Sequence, residues 1–325
     1  MVPVKGESKL KSACLRLQVA AVAAAVIVFA LADMPFAAEA TQKRFASAEE
    51  AVRAFVTALR NDDTKELSAI LGPGGGDLLS SGDPVADRHR RELFVKDYDE
   101  KNGLDPRGDS AILVIGKADW PFSIPVVKKG ETWFFDTDRG REEILNRRIG
   151  RNELNTVQVC LAIVDAQREY AMKDREGDGL LKYAQQFRSE PGTRNGLYWQ
   201  TKEGEEPSPL GPLVAQARTE GHGRQKLPEN PIPYNGYYYR MLKAQGKHAL
   251  GGAYDYLVNG KMVGGFAVVA FPATYGNSGV MTFIVNHDGV VYQKDLGKNT
   301  GKVATAMKIF DPDASWKKAQ ETTKQ

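Results

Sequence analysis

Apolar positions along the chain fall into three patterns: one unbroken run near the N-terminus, then two regions in each of which helical spacing gives way to strand-like alternation. In the first region Val52, Phe55, Val56 and Leu59 recur at three-and-four spacing, which makes one apolar helix face. Ser47-Ala48-Glu49-Glu50 precedes it as a capping box, the serine hydroxyl accepting from the amide three residues on. Shorter helices are predicted over 65–71 and 84–98. Strands follow over 111–115, through the alternating Trp120, Phe122, Ile124 and Val126, and over 132–135, with Lys128-Lys129-Gly130-Glu131 as the turn between the last two. Helices first and antiparallel strands afterwards predict an α+β unit over 45–138.

A second α+β unit is predicted over 142–313. Its helix carries Leu154, Val157, Leu161 and Val164 at three-four-three spacing and extends to about Tyr170. Residues 191–233 are rich in Pro and Gly and read as an irregular surface excursion with one short helix over 212–219. Strands rich in Tyr, Phe, Val and Ile fall at 236–242, 266–271, 280–285 and 290–293, with Asn286-His287-Asp288-Gly289 as a hairpin turn. Residues 314–325 read as a polar C-terminal tail.

The N-terminal run, 19–32, is preceded by Lys5, Lys9, Lys11 and Arg16 and followed by Ala38-Glu39-Ala40. This is the order of a secretory signal peptide, and the run is shorter than the roughly 20 residues of a spanning helix. Residues 1–40 are therefore read as a signal cleaved after Ala40, and the protein as periplasmic or secreted rather than integral to the membrane. Over the whole chain 44 basic residues face 41 acidic ones, a net charge of +3, with no basic block of the kind that tracks nucleic acid. Cleavage also removes Cys14, so Cys160 stands alone and no intramolecular disulfide is available. With no histidine near it in sequence, Cys160 reads as a buried, inert thiol.

Candidate chemistry is sparse. In Ser80-Ser81-Gly82-Asp83-Pro84-Val85-Ala86-Asp87-Arg88-His89, one of Asp83, Asp87 and His89 could serve as a general acid or base. The simpler reading has Asp83 capping a helix with Pro84 at its first position and Asp87 favouring the same helix end. Gly72-Pro73-Gly74-Gly75-Gly76 lacks the strand, helix and lysine of a phosphate loop and reads as a flexible turn. Asp174, Glu176 and Asp178 alternate before Gly179, as in a calcium loop, although the twelfth position from Asp174 is Gln185 rather than glutamate. Calcium is the one metal such a loop would suit, and no resident cofactor is expected. Arg147, Arg148 and Arg151 could bind an anionic partner or could pair with Glu142, Glu143 and Glu153. Tyr198, Trp199, Tyr237, Tyr254 and Tyr256 are loop or strand aromatics that read as exposed, and Tyr198, Trp199, Tyr254 and Tyr256 are taken as candidate partner-binding residues.

Several stretches carry a family resemblance: Ser81-Gly82-Asp83-Pro84, Arg147-Arg148-Ile149-Gly150-Arg151-Asn152-Glu153-Leu154, Gly196-Leu197-Tyr198-Trp199, and Asp288-Gly289-Val290-Val291-Tyr292. They resemble a bacterial family of exported proteins catalogued as domain of unknown function 2950, and the likeness covers nearly all of residues 45–313. The first unit also resembles the nuclear-transport-factor-like cone, whose helices and curled sheet enclose a ligand pocket. The second is loosely similar to the globular half of type IV pilins and pseudopilins. These likenesses imply a cone-like domain followed by a helix packed on an antiparallel sheet. The function expected is that of an exported, non-catalytic cell-envelope protein that binds a partner protein or polymer. Two alternatives stand beside it: small-molecule binding or hydrolase or isomerase activity in the cone pocket, and a structural subunit of an envelope assembly.

Overall fold

Ser47 caps the first helix as its sequence requires, its Oγ accepting from the Glu50 amide at 3.1 Å, while Glu50 reaches back to the Ala46 amide at 2.9 Å. The computed structural model describes residues 42–222 and 232–319; the expected signal segment and residues 320–325 of the expected tail lie outside them. Helix α1 (Ala48–Arg60) is followed by α2 (Thr64–Leu71), a short α3 (Gly76–Leu79) and α4 (Pro84–Glu100). The glycine-rich segment read as a flexible turn is ordered: a 3-10 turn over Pro73–Gly75 leads directly into α3. Gly72, at φ +75°, makes the reversal, and Pro73 starts the turn where no amide donor is needed.

Strands β1 (Asn102–Pro106), β2 (Ser110–Ile115), β3 (Trp120–Pro121), β4 (Val126–Lys129) and β5 (Thr132–Phe135) form an antiparallel sheet in the order β1-β2-β4-β5, with β3 also on β2. Strand β1 has no sequence signal because its residues are almost all exposed and so show no alternation. The expected strand through Trp120 to Val126 is broken after Pro121, since Pro121 and Pro125 have no amide to give a ladder. Phe122, Ile124 and Val126 still point inward and Trp120 does not. They join Phe55, Leu67, Ile70, Leu113 and Phe135 in the first hydrophobic cluster.

Helix α5 (Thr137–Ala171) starts well before the predicted helix and runs through the expected boundary between the two units at 138–142. Its buried face also differs from the predicted one. Leu154 is exposed, and Thr156, Val157, Cys160, Ile163, Val164, Gln167 and Tyr170 face inward. Gln167 is buried because its amide makes a closed pair with the Ala184 backbone, donating to the carbonyl and accepting from the N–H, both at 2.8 Å.

After a long irregular segment come α6 (Gly211–Thr219), β6 (Tyr237–Leu242), β7 (Ala244–Gln245), β8 (Tyr254–Asp255), β9 (Leu257–Val258), β10 (Lys261–Met262), β11 (Ala267–Pro272), β12 (Met281–Asn286) and β13 (Tyr292–Asp295). The chain then adds α7 (Thr300–Ala306), β14 (Ile309–Phe310) and β15 (Lys317–Lys318). The main sheet runs β15-β13-β12-β11-β6, all antiparallel. Helices α5 and α7 both pack on β11, whose residues Ala267 to Ala270 are all buried, so its apolar run is continuous rather than alternating. Lys317 and Lys318, read as tail, pair as an edge strand, where lysine discourages further pairing. The α+β class is thus that of the sequence reading. The described residues form one compact unit with two hydrophobic clusters. No helix among the described residues is long and apolar enough to cross a membrane.

Candidate functional site: an arginine-lined cavity

Two helices present the same stripe to one cavity. On α4 the stripe is Asp87, Arg90, Arg91 and Phe94; on α5 it is Ile144, Arg147, Arg148 and Arg151. Both follow the i, i+3, i+4, i+7 spacing of a helix face, which against a core is ordinarily apolar. Here arginine takes the middle positions on both helices. The remaining walls are apolar and aromatic, with Phe55 and Leu59 from α1, Leu71 from α2, and Trp120, Phe122 and Ile124 among the contributors, around a cavity of about 200 Å³. Phe55 and Phe122 stack at 5.5 Å and Phe94 meets both edge-on at 5.8 and 5.3 Å, which gives it an aromatic wall.

The arginines differ in what they already hold. Arg91 pairs with Asp62 at 2.7 Å, and Arg147 pairs with Glu143 at 2.5 Å while covering the Trp120 ring at 5.4 Å. Arg148 is buried and donates to the carbonyls of Asp77 at 2.7 Å and Leu78 at 2.5 Å, and to Asn277 Oδ1. All its acceptors are neutral, and burial brings its guanidinium down to about 10. Arg90 donates from Nη2 to Asn152 Oδ1 at 2.7 Å, lies 3.8 Å from Asp87, and has a buried Nη1 with no hydrogen-bond acceptor among the described residues. Arg151 makes no ion pair among them. Its charge lowers Arg90 and Arg148 in turn, after the larger effect of burial. Asp87 is the one carboxylate that lines the cavity beside these three mutually repelling guanidiniums, and it already accepts the Ser81 amide at 2.8 Å; behind the lining, Asp83 favours the charged form of Arg90 and Asp77 that of Arg148. Such a group attracts an anion and disfavours a cation.

The three acid-base candidates are not brought together. Asp83 is fully buried, one oxygen accepting from the Ala86 amide at 3.1 Å as the cap of α4, the other from the Gly236 amide at 3.0 Å. Asp87 lines the arginine cavity, whereas His89 lies in a separate groove beside Arg88, Glu92 and Glu220. In the acidic loop, both oxygens of Asp174 accept backbone amides from Glu176 to Gly179. Asp178 is held by the ammonium groups of Lys182 and Lys261, each at 2.5 Å, and Lys182 also reaches Glu176 at 3.3 Å. These ammonium groups hold the Asp178 carboxyl well below the usual range, and an entering cation would have to displace both. Among the described residues no group of three or more His, Cys, Asp or Glu is placed to hold a metal.

The aromatics read as exposed are mostly core. Tyr237 and Tyr256 are fully buried because their hydroxyls find acceptors, Met281 O and Gln245 Oε1, both at 2.9 Å. Trp199 is 8% exposed and lies between the guanidiniums of Arg175 and Arg194. Tyr198 is half-buried under Arg218, which leaves Tyr254 as the exposed member of the set. The sequence reading singled out Arg147, Arg148 and Arg151 and left open whether they bind an anion or pair with acids. In the structure Arg147 pairs, and Glu153 is taken by the amides of Val280 and Met281. Arg90, Arg91 and the aromatic wall were missed; the signal for them was the repeated arginine at core spacing on two helices.

Comparison with curated proteins and with solved structures gives no match to this chain. A family model described as "Protein of unknown function (DUF2950)" matches residues 42–319, which takes in both hydrophobic clusters and the cavity. The chain belongs to the DUF2950 family.

Proposed function

We propose that the protein is an exported, non-catalytic binding protein whose site is the arginine-lined cavity, and that its ligand is a small molecule rather than a polymer. The observation that carries this reading is the pair of matched helix stripes, in which five arginines and a single carboxylate line an apolar, aromatic-walled space. Charge placed at core spacing costs stability, and a bound anion offsets that cost. Export to the periplasm or beyond rests on the order of charged, apolar and small residues in 1–40. A cone-like first half is supported by helices followed by a sheet with the cavity among them, and a pilin-like second half by α5 packed on β11 and β12.

Native mass spectrometry of the mature protein, purified without denaturant, tests the reading. A bound small molecule is expected, and filling the cavity by Phe122→Trp should remove it. A bare chain in that spectrum, together with no thermal shift across a small-molecule library, would refute the binding function. N-terminal sequencing of the envelope fraction should begin at Thr41; recovery of the intact chain in the cytoplasm alone would refute export.

A further inference from the structure

The preceding reading leaves the ligand's chemistry open, and the donors in the cavity narrow it. Arg148 has its guanidinium occupied by Asp77 O, Leu78 O and Asn277, and Arg91 and Arg147 are matched to Asp62 and Glu143. The lining donors not already matched to an acid or fully occupied are the exposed guanidinium of Arg151, Arg90, whose unpaired Nη1 is enclosed by protein and would have to turn to reach a ligand, and the single N–H of Trp120. No lysine lines the cavity, and Ser123 is the one hydroxyl-bearing residue that does. A planar head with two oxygens is satisfied by one arginine fork and one further N–H. A phosphate monoester carries more charge and more oxygens, and these donors would leave part of it unpaired in a partly buried site. Beyond the head, Phe55, Leu59, Phe94, Phe122, Ile124 and Ile144 offer only apolar surface. The ligand must therefore carry an apolar body that gains by leaving water.

We infer that the cavity binds an amphipathic monocarboxylate, of the kind represented by a medium-chain fatty acid, with the carboxylate on Arg90 and Arg151 and the chain against the phenylalanine wall. This rests on the cavity being the binding site. The test is calorimetric titration of the mature protein with octanoate, octyl phosphate and 1-octanol, which share a chain and differ in head. Octanoate is expected to bind at one site, with 1-octanol at least about tenfold weaker, the loss of one charge-assisted contact. Arg151→Ala and Arg90→Met should each weaken octanoate by a similar factor and leave 1-octanol unchanged, and octanoate affinity should fall with added salt. Arg107→Ala, whose side chain pairs with Asp105 away from the cavity, should bind octanoate as the wild type does.

Octyl phosphate or 1-octanol binding as tightly as octanoate would overturn the carboxylate assignment while leaving the cavity as the site. Octanoate binding that survives both arginine substitutions, or that survives both Phe122→Trp and Ile144→Trp, would overturn the placement. If none of the three probes binds while native mass spectrometry shows another small molecule that Phe122→Trp removes, the ligand class fails and the binding function stands. If no small molecule is found by either route, both fail.

Discussion

Asp83 joins the start of α4 to the turn before β6, and its two oxygens do separate jobs. One satisfies the Ala86 amide at the helix end; the other satisfies the Gly236 amide, 153 residues away. Gly236 is held at φ +75°, and a Cβ there would lie 2.6 Å from Asn152 Nδ2, so the approach of the two segments admits only glycine. Asp83→Ala removes a cap worth about 0.5–2 kcal/mol and leaves a buried amide without an acceptor at about 1–3 kcal/mol. Burial raises the Asp83 carboxyl above its ordinary value, so the native state favours its proton, and this group's contribution to stability declines as pH rises through that raised value. Losing the buried charge therefore offsets part of the damage at neutral pH, and a net loss of about 2–4 kcal/mol is expected for Asp83→Ala. Asp83→Asn is the sharper variant. Its amide can satisfy one of the two N–H groups and turns its own NH₂ on the other, so it should still cost more than about 1 kcal/mol. Denaturant unfolding of the protein gives the free energy, and hydrogen exchange at Gly236 reports the specific bond. Asp83→Asn within about 0.5 kcal/mol of wild type, or unchanged protection at Gly236, would refute the reasoning.

Gly140→Ala replaces a poor helix former by the best one inside α5, a gain of about 1 kcal/mol on propensity alone. A Cβ there meets Ser123 O at 2.5 Å and Ile124 Cγ1 at 2.6 Å, and overpacking against backbone at about 1–3 kcal/mol should turn the gain into a loss measurable by denaturant unfolding. Burial pushes the Cys160 thiol up to about 12, so a disulfide reagent such as dithiobis-nitrobenzoate at pH 8 should leave it unlabelled until denaturant is added; rapid native labelling would contradict its burial. The same raised thiol means that the native state keeps a proton the unfolded chain releases near pH 9, and stability should fall as pH climbs from about 9 toward 12. Because Lys182 and Lys261 occupy Asp178, millimolar calcium should leave the melting temperature unchanged, and a rise of several degrees would show that calcium displaces them.

How much could be read ahead depended on whether a residue's partner is close in sequence. The caps at Ser47 and Asp83, the helix over Ala48–Arg60 and the hairpin turn at Asn286-His287-Asp288-Gly289 are local events, and they formed as the residues require. The first half of α5 escaped because the face it turns to the cavity carries the exposed Arg147 and Arg151 and the buried Arg148 rather than apolar residues, so periodicity of hydrophobicity had nothing to detect. The aromatic residues misled for a related reason. Whether Tyr237 or Tyr256 is a surface anchor or a core plug depends on an acceptor for its hydroxyl, and those acceptors, Met281 O and Gln245 Oε1, lie on other segments.

The sequence by itself determined the α+β class and the helix ends set by capping side chains, because each depends on spacing or composition within a few turns of chain. Only the tertiary structure decided which arginines are neutralised. Glu143 reaches Arg147 along one helix, whereas Arg148 is held by carbonyls from α3, and Arg90 and Arg151 come from different helices to share one cavity. The balance of charge inside a cavity is a sum over groups distant in sequence, and no local pattern of residues contains it.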